Sequence, residues 1–425
     1  MPYARAVSSR RPLLLLESAN LIAGTSNAVV MLTIPWLILE RTDSALAAGL
    51  AGALTGIPGI VLAPIVGTMV DRWGRKTVSV GSDVLSAASV ALFPIAEALG
   101  VLELWVILML TLLGAAFDPA GYTARKALIP DVARAARTGV TQLNGIHEGV
   151  FMAGWVLGPV LGAAAIATVG AVNAMWFGCA AFLLAAVAVA ALRVPNRAER
   201  PEGVPDQEGS SLFSGSMLGV RLLYRDKAVW VITVAVAILS LAYMPTETVL
   251  LPVHFEELGR PGEFGLIISA MAGGAMIGAF GYGRIAPLFT RRGLALTCML
   301  GASIAYLPMA FLPPPWLFLA SGFLLGFAWG PMEPLLNTLI QDRFRPDHHG
   351  RIYGVQLSLF YAAPPLGEIV AGAAVEGVGV QPVLAVVSVC LLLTAVTIVF
   401  LPSLRGLDRP TIAGPDEAAG APPPP

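Results

Sequence analysis

The stretch IVGTMVDRWGRKTVSV, residues 65–80, packs Asp71, Arg72, Arg75 and Lys76 into six positions. Long apolar runs flank it, in a chain whose charged residues are only 12% of the total. The pattern reads as a very short polar turn between two long buried helices. Gly67 permits close approach of another helix, and Gly74 supplies the backbone freedom of the turn. Asp71 is suited to the positive end of a neighbouring helix or to an arginine. Arg72, Arg75 and Lys76 suit an anionic lipid surface.

The rest of the chain sets the context. Hydrophobic residues make up 56% of 425 residues, more than a soluble domain of that size can hide. Apolar runs of about 20 residues recur, the length that carries a helix across a bilayer. They are continuously apolar and not alternating, which selects helices over a barrel. The runs fall at about 12–39, 45–70, 77–98, 103–124, 141–167, 171–193, 228–252, 264–285, 294–312, 316–338, 352–375 and 381–402. Cys179, Cys298 and Cys390 lie inside such runs and read as small hydrophobes. Arg10 and Arg11 precede an apolar run, as in a signal segment. That run continues past Glu17, Asn20 and Asn27 without a small-residue cleavage site, so it reads as the first spanning helix.

Two sets of six helices follow, giving an all-α membrane protein of twelve transmembrane helices in two pseudo-symmetric six-helix bundles. The expected division is 1–193 for the first bundle, 194–227 for a polar linker, 228–403 for the second bundle and 404–425 for a disordered tail. Basic residues gather at both termini and in the loops after even-numbered helices. The opposite loops hold Arg41 and Arg260 against Glu40, Asp43, Glu97, Glu103, Glu256, Glu257, Glu263 and Glu376. Positive charge marks the cytoplasmic side, so both termini and the linker are expected there. The halves also repeat: LLGAAFDP at 112–119 matches LLGFAWGP at 324–331, and each precedes an acid, Asp131 or Asp342, at nearly the same offset.

The loop resembles the signature loop of the major facilitator superfamily, Gly-x-x-x-Asp-Arg-x-Gly-Arg-Lys, at Gly67, Asp71, Arg72, Gly74, Arg75 and Lys76. The resemblance extends over the whole spanning region. It implies a carrier whose loop latches the cytoplasmic ends of the halves together. Asp83, near the start of the third helix, reads as pairing with the loop arginines as part of that latch, with substrate contact as the alternative. The corresponding place in the second half, GYGRIAPLFTRRG, has no acid, so the latch there is expected to be degenerate or absent. A phosphate-loop reading of GRKT fails because Met69 and Arg75 stand where Gly and Lys are needed.

GIHEGVFMAGWVLGPVLGA, residues 145–163, carries Gly145, Gly154, Gly158, Pro159 and Gly162. Gly154 and Gly158 form a small-xxx-small pair for close helix contact, and Pro159 bends the helix. The spacing looks like the fifth-helix antiporter motif of the same superfamily, which ends in Gly-Gly where this chain has Gly162-Ala163. That implies proton-coupled export, and the segment after the fourth helix also looks like multidrug, macrolide and siderophore exporters.

Ionisable groups inside a membrane are costly and are functional candidates by default. Asp118, Glu333 and Glu17 are the expected proton-coupling residues. Asn20, Asn27, Glu247, Asn337 and Glu368 are the expected cavity residues, with Asn20 and Asn27 sharing one face of the first helix with Glu17. Low dielectric favours a neutral carboxyl group, and a bound cation favours the ionised form. Proton and substrate then compete for one site, the physical basis of antiport. His147 and Glu148 read as a solvated or paired helix-end couple. Trp36, Trp105, Trp176, Trp230 and Trp316 read as interfacial anchors. Phe117, Tyr122, Phe151, Trp155, Phe360 and Tyr361 stand between cavity lining and lipid-facing packing.

The expected activity is therefore export of a small, moderately hydrophobic molecule by proton antiport with alternating access, in a bacterial plasma membrane. The partners are the substrate, protons and the bilayer, with no nucleic acid, cofactor or metal, and a monomeric state. Proton symport or uptake is the alternative within transport. A membrane-embedded enzyme would need paired acids or a His/Asp metal cluster, and a sensor would need a signalling domain; the sequence offers neither.

Overall fold

The computed structural model describes residues 10–194, 220–344 and 346–408. Side chains are described throughout except at 57, 59–68, 71, 118, 141, 346–351, 354 and 357. The linker expected at 194–227 and the tail expected at 404–425 fall largely outside those residues.

Among the described residues twelve long helices follow one another. The first six are α1 (Arg11–Thr42), α2 (Ala45–Trp73), α3 (Arg75–Ala98), α4 (Leu104–Ala136), α5 (Val140–Val169) and α6 (Ala171–Ala190). The second six are α7 (Lys227–Glu257), α8 (Pro261–Leu288), α9 (Arg291–Phe311), α10 (Pro315–Arg343), α11 (Pro346–Val378) and α12 (Val380–Phe400). At 1.5 Å per residue each reaches about 30 Å or more, the thickness of a hydrocarbon core. No strand occurs among the described residues.

Helix breaks sit where the sequence forces them. Pro245 lacks a backbone N–H, and α7 passes there into a π-helical turn, Thr246–Leu250. α10 breaks at Gly330–Pro331. The α2–α3 turn is the single residue Gly74, with φ of 88°, a region that L side chains avoid. Gly170 and Gly379 make matching one-residue turns before the sixth helix of each half, at φ of 82° and 83°.

In the first bundle α1 packs on α4, α5 and α6, and α3 packs on α4 and α6. In the second, α10 packs on α8 and α9, and α7 packs on α11 and α12. Across the molecule α2 lies on α11 and α5 lies on α8. The second helix of each half thus meets the fifth of the other, as a twofold relation between the halves requires.

Two expectations change. Residues Pro402–Asp408 form a 3-10 turn, with Leu404 and Leu407 fully buried, so the chain stays packed beyond the end of α12. The carbonyl of Gly406 accepts from Arg343, which explains why this polar stretch is held. Trp36 is not an interfacial anchor: it is buried, stacked on Phe264 of the other half, and donates to Glu40 at 2.7 Å. Trp105, Trp176 and Trp316 are exposed near helix ends as expected.

Candidate functional site

The charged turn and its surroundings come first, because they tie helix ends together. Arg72 is exposed. Arg75 donates to Asp131 at the end of α4 at 3.0 Å, and Arg134 donates to the same carboxylate at 2.5 Å. Lys76 donates to the carbonyl of Leu192, past the end of α6, at 2.8 Å. Gly67 and Asp71 fall outside the described side chains. Asp83 does not pair with the loop arginines. Its partner is Arg125 of α4 at 2.7 Å, and both side chains are almost fully buried. The reason is geometric: Asp83 lies two turns into α3, level with α4 and beyond reach of the turn.

The second half makes contacts equivalent to those of Arg75 and Lys76, although its loop contains no acid. Arg291, first residue of α9, pairs with Asp342 at the end of α10. Arg292 donates to the carbonyl of Val399 in α12 at 2.9 Å. In each half, therefore, the first basic residue of the third helix binds an acid on the fourth, and the second caps the sixth.

The glycines of α5 do two different things. A methyl group at Gly154 would meet Leu21 O and Thr25 N of α1 at 2.9 Å, and one at Gly158 would collide with Ala28. Gly162 faces Val29 at 3.3 Å. Gly145 has open space, so close packing does not require it. Pro159 lies beneath Gly265 of α8, where the two halves touch.

A cavity of about 330 Å³ opens against α5 and penetrates the second bundle. Met152 and Trp155 of α5 form one wall; Tyr243, Met244, Met271, Met299 and Trp329 are prominent on the other. Glu247 is the acid among the lining residues, and Tyr243 donates to it. The indole N–H of Trp155 is buried without an acceptor among the described residues. Aromatic faces, polarizable thioethers and one carboxylate form a surface that suits apolar molecules with a polar or cationic end.

The other expected site residues disperse. Glu17 is buried inside the first bundle, 3.2 Å from His147 Nδ1. Asn20 is fully buried and donates to the carbonyl of His147 at 2.8 Å. His147 is thus not solvated. It is fully enclosed, while its neighbour Glu148 is half exposed and bonded to Lys126 at 2.5 Å and Tyr122 at 3.0 Å. Asn27 is half-buried on α1. Asn337 is half-buried, its carbonyl accepting from Tyr353 at 3.3 Å. Glu333 is exposed and faces the first half, within electrostatic range of Glu148 and Lys126. Glu368 lies in the seam between α11 and α2, with Thr248 donating to it at 3.1 Å. Of the expected cavity residues, only Glu247 lines this cavity. The Asp118 side chain is outside those described.

Among the described residues the contacts between the halves differ at the two ends. Toward the acidic loops, Trp36 stacks on Phe264, Gly265 presses on Pro159, and Ser44 donates to Glu376 at 2.5 Å. Toward the basic loops, Lys126, Glu333 and Tyr361 are exposed and Glu148 is half exposed.

The family model described as Major Facilitator Superfamily matches residues 16–259 and 246–424. Over 406 residues the chain is 36% identical to a protein of Mycolicibacterium fortuitum named Multidrug efflux pump Tap, covering 94% of this chain and 98% of that one. It is 33% identical to the protein of the same name in Mycobacterium tuberculosis, over 97% of this chain and 99% of that one. The crystal structure of the nucleoside transporter NupG superposes with a TM-score of 0.74 at 12% identity, covering 92% of this chain and 98% of that one. At that identity the likeness concerns the fold.

Proposed function

The chain belongs to the major facilitator superfamily, and we propose that it exports small, moderately hydrophobic molecules from a bacterial cell in exchange for protons. It is a transporter and not an enzyme. The observation that carries export is the cavity between α5 and the second bundle, walled by Trp155, Tyr243, Trp329 and four methionines around one acid, Glu247. It occurs in a chain that matches proteins named multidrug efflux pumps along nearly its whole length.

Among the described residues the halves pack together at the acidic end, and charged side chains are exposed toward the basic end. With the basic loops cytoplasmic, substrate enters this state from the cytoplasm. Rocking of the bundles about the cavity then presents it to the outside. In the described residues nothing resembles a nucleotide-hydrolysing motif, and buried carboxylates supply proton-binding groups. Drugs, siderophores and secondary metabolites fit the wall chemistry. The carrier functions as a single chain in the plasma membrane, both termini inside.

The test is accumulation of ethidium in bacteria lacking their own pumps. Expression lowers steady-state dye, and collapsing the proton gradient with an uncoupler restores it. Dye that rises on expression would favour uptake; dye unaffected by the uncoupler would refute proton coupling.

A further inference from the structure

Glu368 sits where α11 crosses α2, on the acidic side of the cavity. It is 4% exposed. Thr248 of the π-helical turn donates to its Oε1 at 3.1 Å. The opposite wall is bare backbone of the other half: a methyl group at Gly52 would stand 2.9 Å from the carboxyl carbon, and one at Gly49 would run into the Glu368 carbonyl. Glu247 precedes Thr248 on the same π-helical turn, so a second acid lies close by. Glu376, two turns further along α11, meets the first turn of α2 through Ser44 and the N–H of Leu46 at 3.2 Å.

With one hydroxyl donor and otherwise bare backbone around it, the site offers a charge little compensation, and burying an uncompensated charge is costly. The other candidate acids are placed differently. Glu17 is paired within one bundle. Glu333 is already exposed. Glu247 is bonded to Tyr243 of its own helix. Among these, Glu368 is the one packed directly on backbone of the opposite bundle, at Gly49 and Gly52 of α2, a wall that leaves when α2 and α11 part. A π-helical turn beside it adds local irregularity of a kind that clusters at functional sites.

We propose that Glu368 carries the coupling proton, and that the acidic-side seam closes only on its protonated form. This rests on the proton-exchange reading above and names the residue behind it. With the acidic side open, Glu368 takes a proton from water there. The seam then closes over the neutral acid. With the basic side open, the proton departs toward the cavity, where Glu247 lines the wall, and on to water. The ionised Glu368 left behind destabilises the seam and favours reopening on the acidic side.

Seam opening is measurable without knowing the substrate. In a background with Cys179, Cys298 and Cys390 replaced, spin labels at Leu99→Cys and Phe311→Cys report distances across the acidic end by double electron–electron resonance in nanodiscs. Both positions are exposed, on opposite halves. In the wild-type background the long-distance population rises at least threefold from pH 5.5 to pH 8.5. Glu368→Gln holds the short distance at every pH, and Glu368→Met serves the same purpose should the Gln variant fail to fold. Glu368→Asp, Glu376→Gln and Glu333→Gln keep the pH response. A wild-type response that survives Glu368→Gln or Glu368→Met, or its absence in the wild-type background, overturns the assignment. Ethidium export is scored separately. Intact proton-driven export with a pH-independent seam refutes this assignment alone, whereas absent export refutes the broader reading.

Discussion

Arg125 on α4 and Asp83 on α3 meet at 2.7 Å, both almost fully buried, and lock two helices of the first bundle together. Asp83 Oδ2 and Arg125 Nε lack further partners among the described residues. Removing one member leaves an uncompensated charge in a low-dielectric interior, which costs about 3–5 kcal/mol. Arg125→Leu is therefore expected to lower the melting temperature of the purified protein sharply. The double variant Asp83→Leu/Arg125→Met melts closer to wild type. A thermal scan of intrinsic tryptophan fluorescence in detergent checks both.

The α5 glycines separate by what faces them. Gly158→Val drives a side chain into Ala28 and forces α1 and α5 apart; overpacking of this kind costs about 1–3 kcal/mol. Gly145→Ala meets nothing within 4 Å and is expected to be neutral, or stabilising by up to about 1 kcal/mol through helix propensity. Folded yield and melting temperature of the two variants distinguish packing from sequence motif.

The pairs Arg75–Asp131 and Arg291–Asp342 are equivalent contacts in the two halves. Asp342→Arg alone places two cations together and is expected to reduce export. The swap Arg291→Asp/Asp342→Arg restores the pair and recovers at least half of the activity. Failure of the swap to rescue would show that one of the two residues does something besides pairing. Ethidium efflux rates from preloaded cells at matched expression provide the comparison.

How much of this was legible in the sequence depends on distance along the chain. Helix number, the Gly74 turn and the close glycine packing of α5 are local patterns, and the structure contains them. Arg125 was obscured by a boundary: the apolar run stops near residue 124, whereas α4 continues to Ala136. Arg125 therefore lies on the helix and is buried, beyond the end of the apolar run. His147, near a helix start, reads from sequence as either solvated or paired; α1 covers it with Glu17 and Asn20. Asp342 as partner of Arg291, and Gly52 as the wall of Glu368, are contacts between helices far apart in sequence. No periodicity encodes them. A lone arginine or histidine near the end of an apolar run, followed by further helix-forming sequence, was the available signal.

Trp155 and Glu247 face the same cavity from opposite halves. For an aromatic cation, loss of the indole face removes about 1–2 kcal/mol of binding, so Trp155→Ala is expected to raise the apparent KM for ethidium about 5- to 30-fold. Trp155→Phe raises it less. Glu247→Gln weakens a cationic substrate but spares a neutral one of similar size. Initial efflux rates across a concentration series separate these outcomes.

The most direct measurement uses purified protein in sealed liposomes, with an imposed pH gradient and no other energy source. In the correctly oriented fraction, protons flowing down their gradient drive ethidium against its own, and a counterflow of protons is recorded by a trapped pH dye. Uphill dye movement that collapses with the gradient, with proton flux dependent on added ethidium, is the predicted result. Dye that merely equilibrates at the same rate with or without the gradient would contradict proton-driven export.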